Sequence, residues 1–463
     1  MGTDTAANRG FTRFLTILGL LLGSWLGLPP AMADDACPDV TPTVAIGNLF
    51  FALANLPQPL RQTGITFTAQ EDSEVWANLS GGAKTGTDYV GLTTAKLSVD
   101  LCKLLGWHGA QLFVSGYDEH AHGPSRSFLG NQQLVSDLEA APSIKLFDLY
   151  LDQTFAGGLL SLRAGQEGLN DEFMITSYGA LFFNSSFGFP AMAASVLPSG
   201  GPNYPLGTPF ARFQVKPDSE FTIIAALYNG DPAPPGTGDP QVRDRNGTAF
   251  RTDGNTLSVG ELQYAPATDS PNLPTTYKLG AWYSTSPFSD ERFDNAGGLL
   301  ASPASTGSAL VHHNDWAVYG VIDQRVWSNP GDKDRGVGVF FLAMGGPSDR
   351  NLSNVSAEIG ASWRGPFAGR KSDVLGFAVS YLGISPAARQ YSNDLISFGR
   401  ATAGYATNET VLEATYQAPI TDWLILQPDL QYVINPNAGI PNSFGSRPQP
   451  NALLVAFRVT IRL

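Results

Sequence analysis

Past its first 33 residues the chain has no apolar stretch approaching the roughly 20 residues that a membrane-crossing helix requires. If the protein sits in a membrane, it crosses as strands, the other architecture that satisfies every backbone polar group inside lipid. Charge is scarce too: Asp, Glu, Lys and Arg make up 15% of the residues, with a formal net charge of −13. Clusters of Lys and Arg that could neutralise phosphates are missing, which excludes nucleic acid as a partner, and the same balance disfavours an anion channel. No paired-cysteine zinc pattern, G-x-S-x-G elbow or phosphate loop occurs. None of the five histidines falls inside a stretch of alternating polarity, so a wall histidine beside a nucleophile is not expected. Glu119, His120, His122 and the His312-His313 pair read as solvated loop residues, and the sequence points to no enzyme, no metal and no cofactor.

What is present begins with a secretory signal: Arg9 and Arg13, an apolar run from Phe14 to Leu28, Pro29-Pro30, then Ala31-Met32-Ala33. Cleavage there makes residues 1–33 the signal peptide and Asp34 the mature N-terminus. Gly (50) and Pro (33) are abundant and aromatics reach 11%, a composition suited to strands and turns. The last residues give the pattern most openly. Leu453, Val455, Phe457, Val459, Ile461 and Leu463 share one parity, and Ala456, Arg458, Thr460 and Arg462 share the other. One face suits lipid and the other a water-filled lumen.

Sixteen such segments lie at about 65–78, 91–101, 110–117, 145–155, 159–165, 208–216, 221–229, 256–264, 276–284, 315–326, 336–343, 354–363, 374–382, 409–417, 422–434 and 450–463. Their connections alternate between short and long. The expected fold is therefore all-β: a closed antiparallel sixteen-stranded transmembrane barrel over 65–463, with short periplasmic turns and long outer loops. Residues 34–64 form an N-terminal periplasmic or plug segment ahead of it. Tyr89, Trp76, Tyr283, Trp316, Trp363, Tyr416, Trp423 and Tyr432 fall near segment ends, where interfacial girdles require amphipathic rings.

The long connection from Gly165 to Gly207 mixes carboxylates, amides and rings, the chemistry that binds sugar hydroxyls and stacks on sugar C–H faces. It is expected to fold inward as a constriction. Asn170, Glu172 and Asn184 would supply hydrogen bonds and Phe182, Phe187 or Phe189 a stacking face, beside wall residue Arg163. Lumen-parity charges include Lys96, Asp100, Asp152, Glu413, Asp429, Arg458 and Arg462, a mixed polar wall with no ladder for one ion sign. Cys37, just inside the mature N-terminus, and Cys102, at the end of the second strand, both fall on the periplasmic side and are expected to form a disulfide.

The chain resembles the carbohydrate-selective porin family of Gram-negative outer membranes, the OprB type. The resemblance rests on Gly64-Ile65-Thr66-Phe67 leading to Glu74-Val75-Trp76, and on Arg163-Ala164-Gly165-Gln166 followed by Asn170-Asp171-Glu172-Phe173. Asn184-Ser185-Ser186-Phe187-Gly188, Glu413-Ala414-Thr415-Tyr416 and the run from Gln427 to Pro436 continue it in the same order. Two features depart from the family: no Asp-Trp-Gly-Gly element stands before Leu60, and the chain ends in Leu463, not an aromatic residue. The resemblance implies an outer-membrane channel for passive, selective diffusion of mono- or small oligosaccharides, with sugars as solutes and outer-membrane lipid as surroundings, as a monomer or a homotrimer. Two other readings stay open at this point: a general or cation-preferring diffusion porin, and an exported soluble β-rich carbohydrate-binding protein.

Overall fold

The computed structural model describes residues 63–462. The signal segment, Cys37 and all but the end of the expected 34–64 segment lie outside the described residues, so the expected disulfide has one end there.

The strands are β1 (Ile65–Ser80), β2 (Gly86–Asp100), β3 (Ala110–His120), β4 (Ser143–Phe155), β5 (Leu160–Glu167), β6 (Thr208–Val215), β7 (Phe221–Asn229), β8 (Thr256–Tyr264) and β9 (Thr276–Ser284). They continue as β10 (Phe288–Asp294), β11 (Ala309–His312), β12 (Asp315–Asn329), β13 (Asp332–Gly345), β14 (Ser353–Arg364), β15 (Val374–Ile384), β16 (Asn408–Pro419), β17 (Leu424–Ile434) and β18 (Ala452–Arg462). All but β10 and β11 close one antiparallel barrel, in which β1 pairs with both β2 and β18: Val75 faces Tyr89 on one side and Phe457 on the other. Each of the sixteen expected segments has one counterpart. The largest shifts are at β2, which starts at Gly86, and β13, which starts at Asp332; β3 runs on to carry Glu119 and His120 on the strand and not in the loop. Among the described residues no helix is long and apolar enough to cross a membrane.

At one end of the barrel four turns are tight, 156–159, 216–220, 330–331 and 420–423, while 101–109, 265–275 and 365–373 are longer. The other end carries the long loops 121–142, 168–207, 230–255, 285–314, 385–407 and 435–451, with 81–85 and 346–352 as short exceptions. Asp100 closes β2 at the tight-turn end as the N-cap of α1 (Leu101–Leu105), its carboxylate accepting from the amides of Cys102 at 2.9 Å and Lys103 at 3.2 Å. This carboxylate caps a helix and is not a lumen charge.

Alternation sorts the faces. Leu279, Ile359, Phe377 and Phe457 are open on the outside, while Ala378, Ser380 and Leu454 are buried on the inside. Tyr89, Tyr283, Trp316, Trp363, Trp423 and Tyr432 lie open near strand ends as expected of girdles. Trp76 does not: it is fully buried on the inner face, its indole N–H donating to Glu74 at 2.6 Å and its ring edge-on to Phe183 at 6.0 Å. Its parity with Asp72 and Glu74 puts it inside, and an indole taken from water needs the partner that Glu74 supplies.

The core of the molecule lies within the barrel. Ile224, Ala226, Tyr228, Leu257, Val259, Trp282, Tyr319, Val321, Leu342 and Met344 point inward and bury Leu169, Phe173, Met174, Phe189 and Met192 of the 168–207 loop. Much of the inner wall is apolar because that loop covers it.

Candidate functional site

The 168–207 loop enters the lumen from the end of β5 and is fastened at its root by an ion network. Arg163 of β5 reaches Asp152 at 2.8 Å, Glu167 at 3.1 Å and Glu172 at 3.2 Å, and stacks over Tyr150 at 4.3 Å. Arg212 of β6 forks onto Glu172 at 2.8 and 3.0 Å and also meets Asp152 at 2.9 Å. Both guanidiniums are almost wholly buried, so Arg163, Asp152 and Glu172 position the loop and do not face a solute.

Further on, wall carboxylates accept the loop's backbone amides. Glu261 of β8 takes Met174 N–H at 3.1 Å, Asp323 of β12 takes Ser177 N–H at 2.8 Å, and Glu413 of β16 takes Phe183 and Asn184 N–H at 2.5 and 3.0 Å. Irregular backbone buried away from water must find such acceptors, and here the barrel wall provides them. Asn184 is fully buried, its side chain bonding Gln133 O and Gln431, both at 3.3 Å. Asp429, opposite Thr415 on β17, is likewise buried.

The aromatic residues Phe182, Phe187 and Phe189 keep only 2%, 2% and 4% of their surface. Phe182 and Phe187 pack on each other at 5.1 Å and on Phe340 of β13 at 5.8 and 6.0 Å. They do not offer the open stacking face expected of them: the alternation that turns Phe340 and Ala378 inward gives these rings an apolar seat on the wall. Two wall glycines make the fit. A Cβ at Gly338 would stand 2.0 Å from the Tyr178 ring, and one at Gly376 would stand 2.8 Å from Phe182.

The 121–142 loop, which sequence reasoning passed over, also folds inward. Glu409 of β16 accepts the amides of Gln132 and Gln133 at 3.1 and 2.8 Å. The two loops then clip together, Ser185 N–H to Leu134 O at 3.0 Å and Asp137 N–H to Phe183 O at 2.6 Å. The signal for it was apolar: Phe128, Leu129, Val135 and Leu138 are too many for a solvated loop, and all four are buried.

What stays open is a passage between the two loops and the barrel wall, where Thr460, Arg462, Gln70, Asp72, Thr94 and Lys96 stand on β18, β1 and β2, and Ser362, Arg364, Gln417 and Gln427 on β14, β16 and β17. Asn170 lines the loop side, its Oδ1 accepting from Tyr204 N–H at 3.3 Å. Arg458 crosses from the wall, bonding Glu74 at 2.5 Å, pairing with Asp137 and stacking on Phe183 at 3.9 Å. Enclosure in the barrel pushes the Asp137 carboxyl up to about 6, against the pull of Arg458 and with Glu74 adding to the rise. Of the expected positions, Asn170, Lys96, Arg458 and Arg462 reach the passage, and Phe182, Phe187 and Phe189 border it with almost none of their surface open. Arg163, Glu172, Asn184, Glu413, Asp429 and the three phenylalanines hold its loop side in place.

A closed sixteen-stranded barrel with an apolar outer belt, and a lumen narrowed by inward loops, is the architecture of a porin. The sequence profile of the carbohydrate-selective porin family, OprB, matches residues 84–463. Porin B of Pseudomonas aeruginosa is 25% identical over 399 residues, spanning 81% of this chain and 84% of that protein. The putative porin QuiX of Acinetobacter baylyi is 23% identical over 408 residues, 83% and 87% of the two chains. The high-pH structure of Pseudomonas putida OprB shares the fold, with a TM-score of 0.76 over 88% of this chain and 96% of that one at 21% identity. The chain belongs to the carbohydrate-selective porin family. It is an outer-membrane channel for the passive, selective diffusion of carbohydrates.

Proposed function

We propose that mono- or small oligosaccharides cross through the passage between the two inward loops and the barrel wall, and that the 168–207 loop sets which of them pass. The observation that carries this is the seating of that loop. It is fastened by carboxylates on β8, β12 and β16 and packed over an apolar wall, so it narrows the lumen as a fixed part of the molecule. Selectivity then follows from passage width and from hydroxyl-matching groups such as Asn170, Thr94 and Lys96, in a channel that uses no covalent step.

A cation-preferring pore is the reading that net acidity favours, and the disposition of the acids weighs against it. Glu261, Asp323, Glu409 and Glu413 bind loop backbone, and Asp152, Glu167 and Glu172 are met by Arg163 and Arg212. Deleting Phe182 to Pro190 should raise ion conductance and erase the preference for sugars over uncharged solutes of similar size in liposome swelling. Unchanged conductance and unchanged solute ranking would remove the loop from the mechanism.

A further inference from the structure

The phenylalanines of the 168–207 loop face the wall, so a sugar in the passage must find its aromatic surface elsewhere. Two rings meet the requirement. Tyr117, on the inner face of β3, and Tyr204, near the end of the loop, both line the passage and both stay half-buried. Their centroids are 5.4 Å apart with planes at 68°, an edge-to-face pair, and Phe147 supports both from behind at 4.9 and 6.4 Å.

The pair is held rigidly. Tyr204 donates its hydroxyl to Leu138 O at 3.1 Å, tying the ring to the 121–142 loop, and gives its backbone N–H to Asn170 at 3.3 Å. Tyr117 sits opposite Thr94 in the β2–β3 register, which sets Thr94 and, two residues on, Lys96 beside it on the same inner face. Asn203 adds an amide next to Tyr204. A ring face bordered by an amide, a hydroxyl and an ammonium suits a pyranose: the C–H face lies on a ring while hydroxyls exchange hydrogen bonds at its edge.

We infer that Tyr117 and Tyr204 form a stacking subsite for a neutral pyranose within the passage, with Asn170, Asn203, Thr94 and Lys96 meeting its hydroxyls. The inference rests on the passage being the carbohydrate route. Such a site slows ions while it is occupied, so the purified full-length protein in a planar bilayer reports it as a fall in ion current on adding an aldohexose. Tyr204→Leu should raise the half-blocking sugar concentration about tenfold, and Tyr204→Phe, which keeps the ring, should stay within about twofold of the parent. Tyr117→Leu, which changes a strand residue and leaves the Tyr204 hydrogen bonds to Leu138 and Asn170 in place, should behave like Tyr204→Leu even if the latter shifts the loop.

If the parent shows sugar block and both leucine variants match it within about twofold, the subsite is overturned while the route survives. If the parent shows neither sugar block nor sugar-driven swelling, the route itself fails and the subsite with it.

Discussion

The Glu413 carboxylate on β16 accepts the backbone N–H of Asn184 at 3.0 Å, across 229 residues of chain, while its other oxygen accepts that of Phe183. One side chain thus holds the tip of the constriction against the barrel wall. Replacing it with alanine leaves two buried donors without an acceptor, a cost of about 1–3 kcal/mol for each. Glu413→Ala is expected to form a barrel with higher ion conductance and new protease sensitivity between 179 and 190. Conductance and cleavage equal to the parent would show that the packing of Phe182 and Phe187 suffices alone.

The two sides of the wall should respond differently to the same charge. Phe377 is 58% exposed toward lipid, and Phe377→Arg is expected to destabilise the barrel by roughly 2 to 4 kcal/mol at midplane depth. Thr94→Arg, which points into the passage, should fold and instead lower sugar flux. Heat-modifiable gel migration and urea unfolding in detergent compare them; equal losses from both would contradict the face assignment.

Ion selectivity should depend on pH through Asp137, a passage-lining group whose side chain keeps 41% of its surface open. Its carboxyl lies at about 6, above its ordinary range, so it is an anion at pH 7 and becomes neutral as pH falls through that value. Losing that negative charge leaves Arg458 with one acid fewer, and reversal potentials under a salt gradient should move toward anions between pH 7 and 5. Asp137→Asn should start at the shifted value and stay there; a full pH response in that variant would assign the titration to another group.

Among the described residues no cysteine is free, and the chain has only Cys37 and Cys102. Thiol labelling of unreduced, denatured protein is expected to find none, and two labelled cysteines would sink the pairing.

The sixteen strands were legible because lipid imposes a period of two on the outer face, and Val455, Phe457 and Val459 against Ala456, Arg458 and Thr460 carry it openly. The inner face was legible only where it is wet. From β7 to β13 many inward residues, Ile224, Leu257, Trp282 and Leu342 among them, are apolar, since a loop and not water covers them. Sequence polarity therefore identified the constriction loop but not which of its residues meet the solute. The same rings that suit sugar stacking, Phe182 and Phe187, suit an apolar seat equally well. Trp76 was misplaced by a related ambiguity, an indole being at home both at a lipid interface and beside a buried carboxylate.

The seating of the 168–207 loop also bears on how such channels can be altered. Gly338 and Gly376 are hollows shaped to Tyr178 and Phe182, and the apolar inner surface from β7 to β13 is complementary to one particular loop. Exchanging that loop alone for a relative's would leave a greasy lumen facing water and wall carboxylates facing nothing. Solute preference is thus written jointly in a loop and in strands far from it in sequence, and a graft that succeeds will have to carry both.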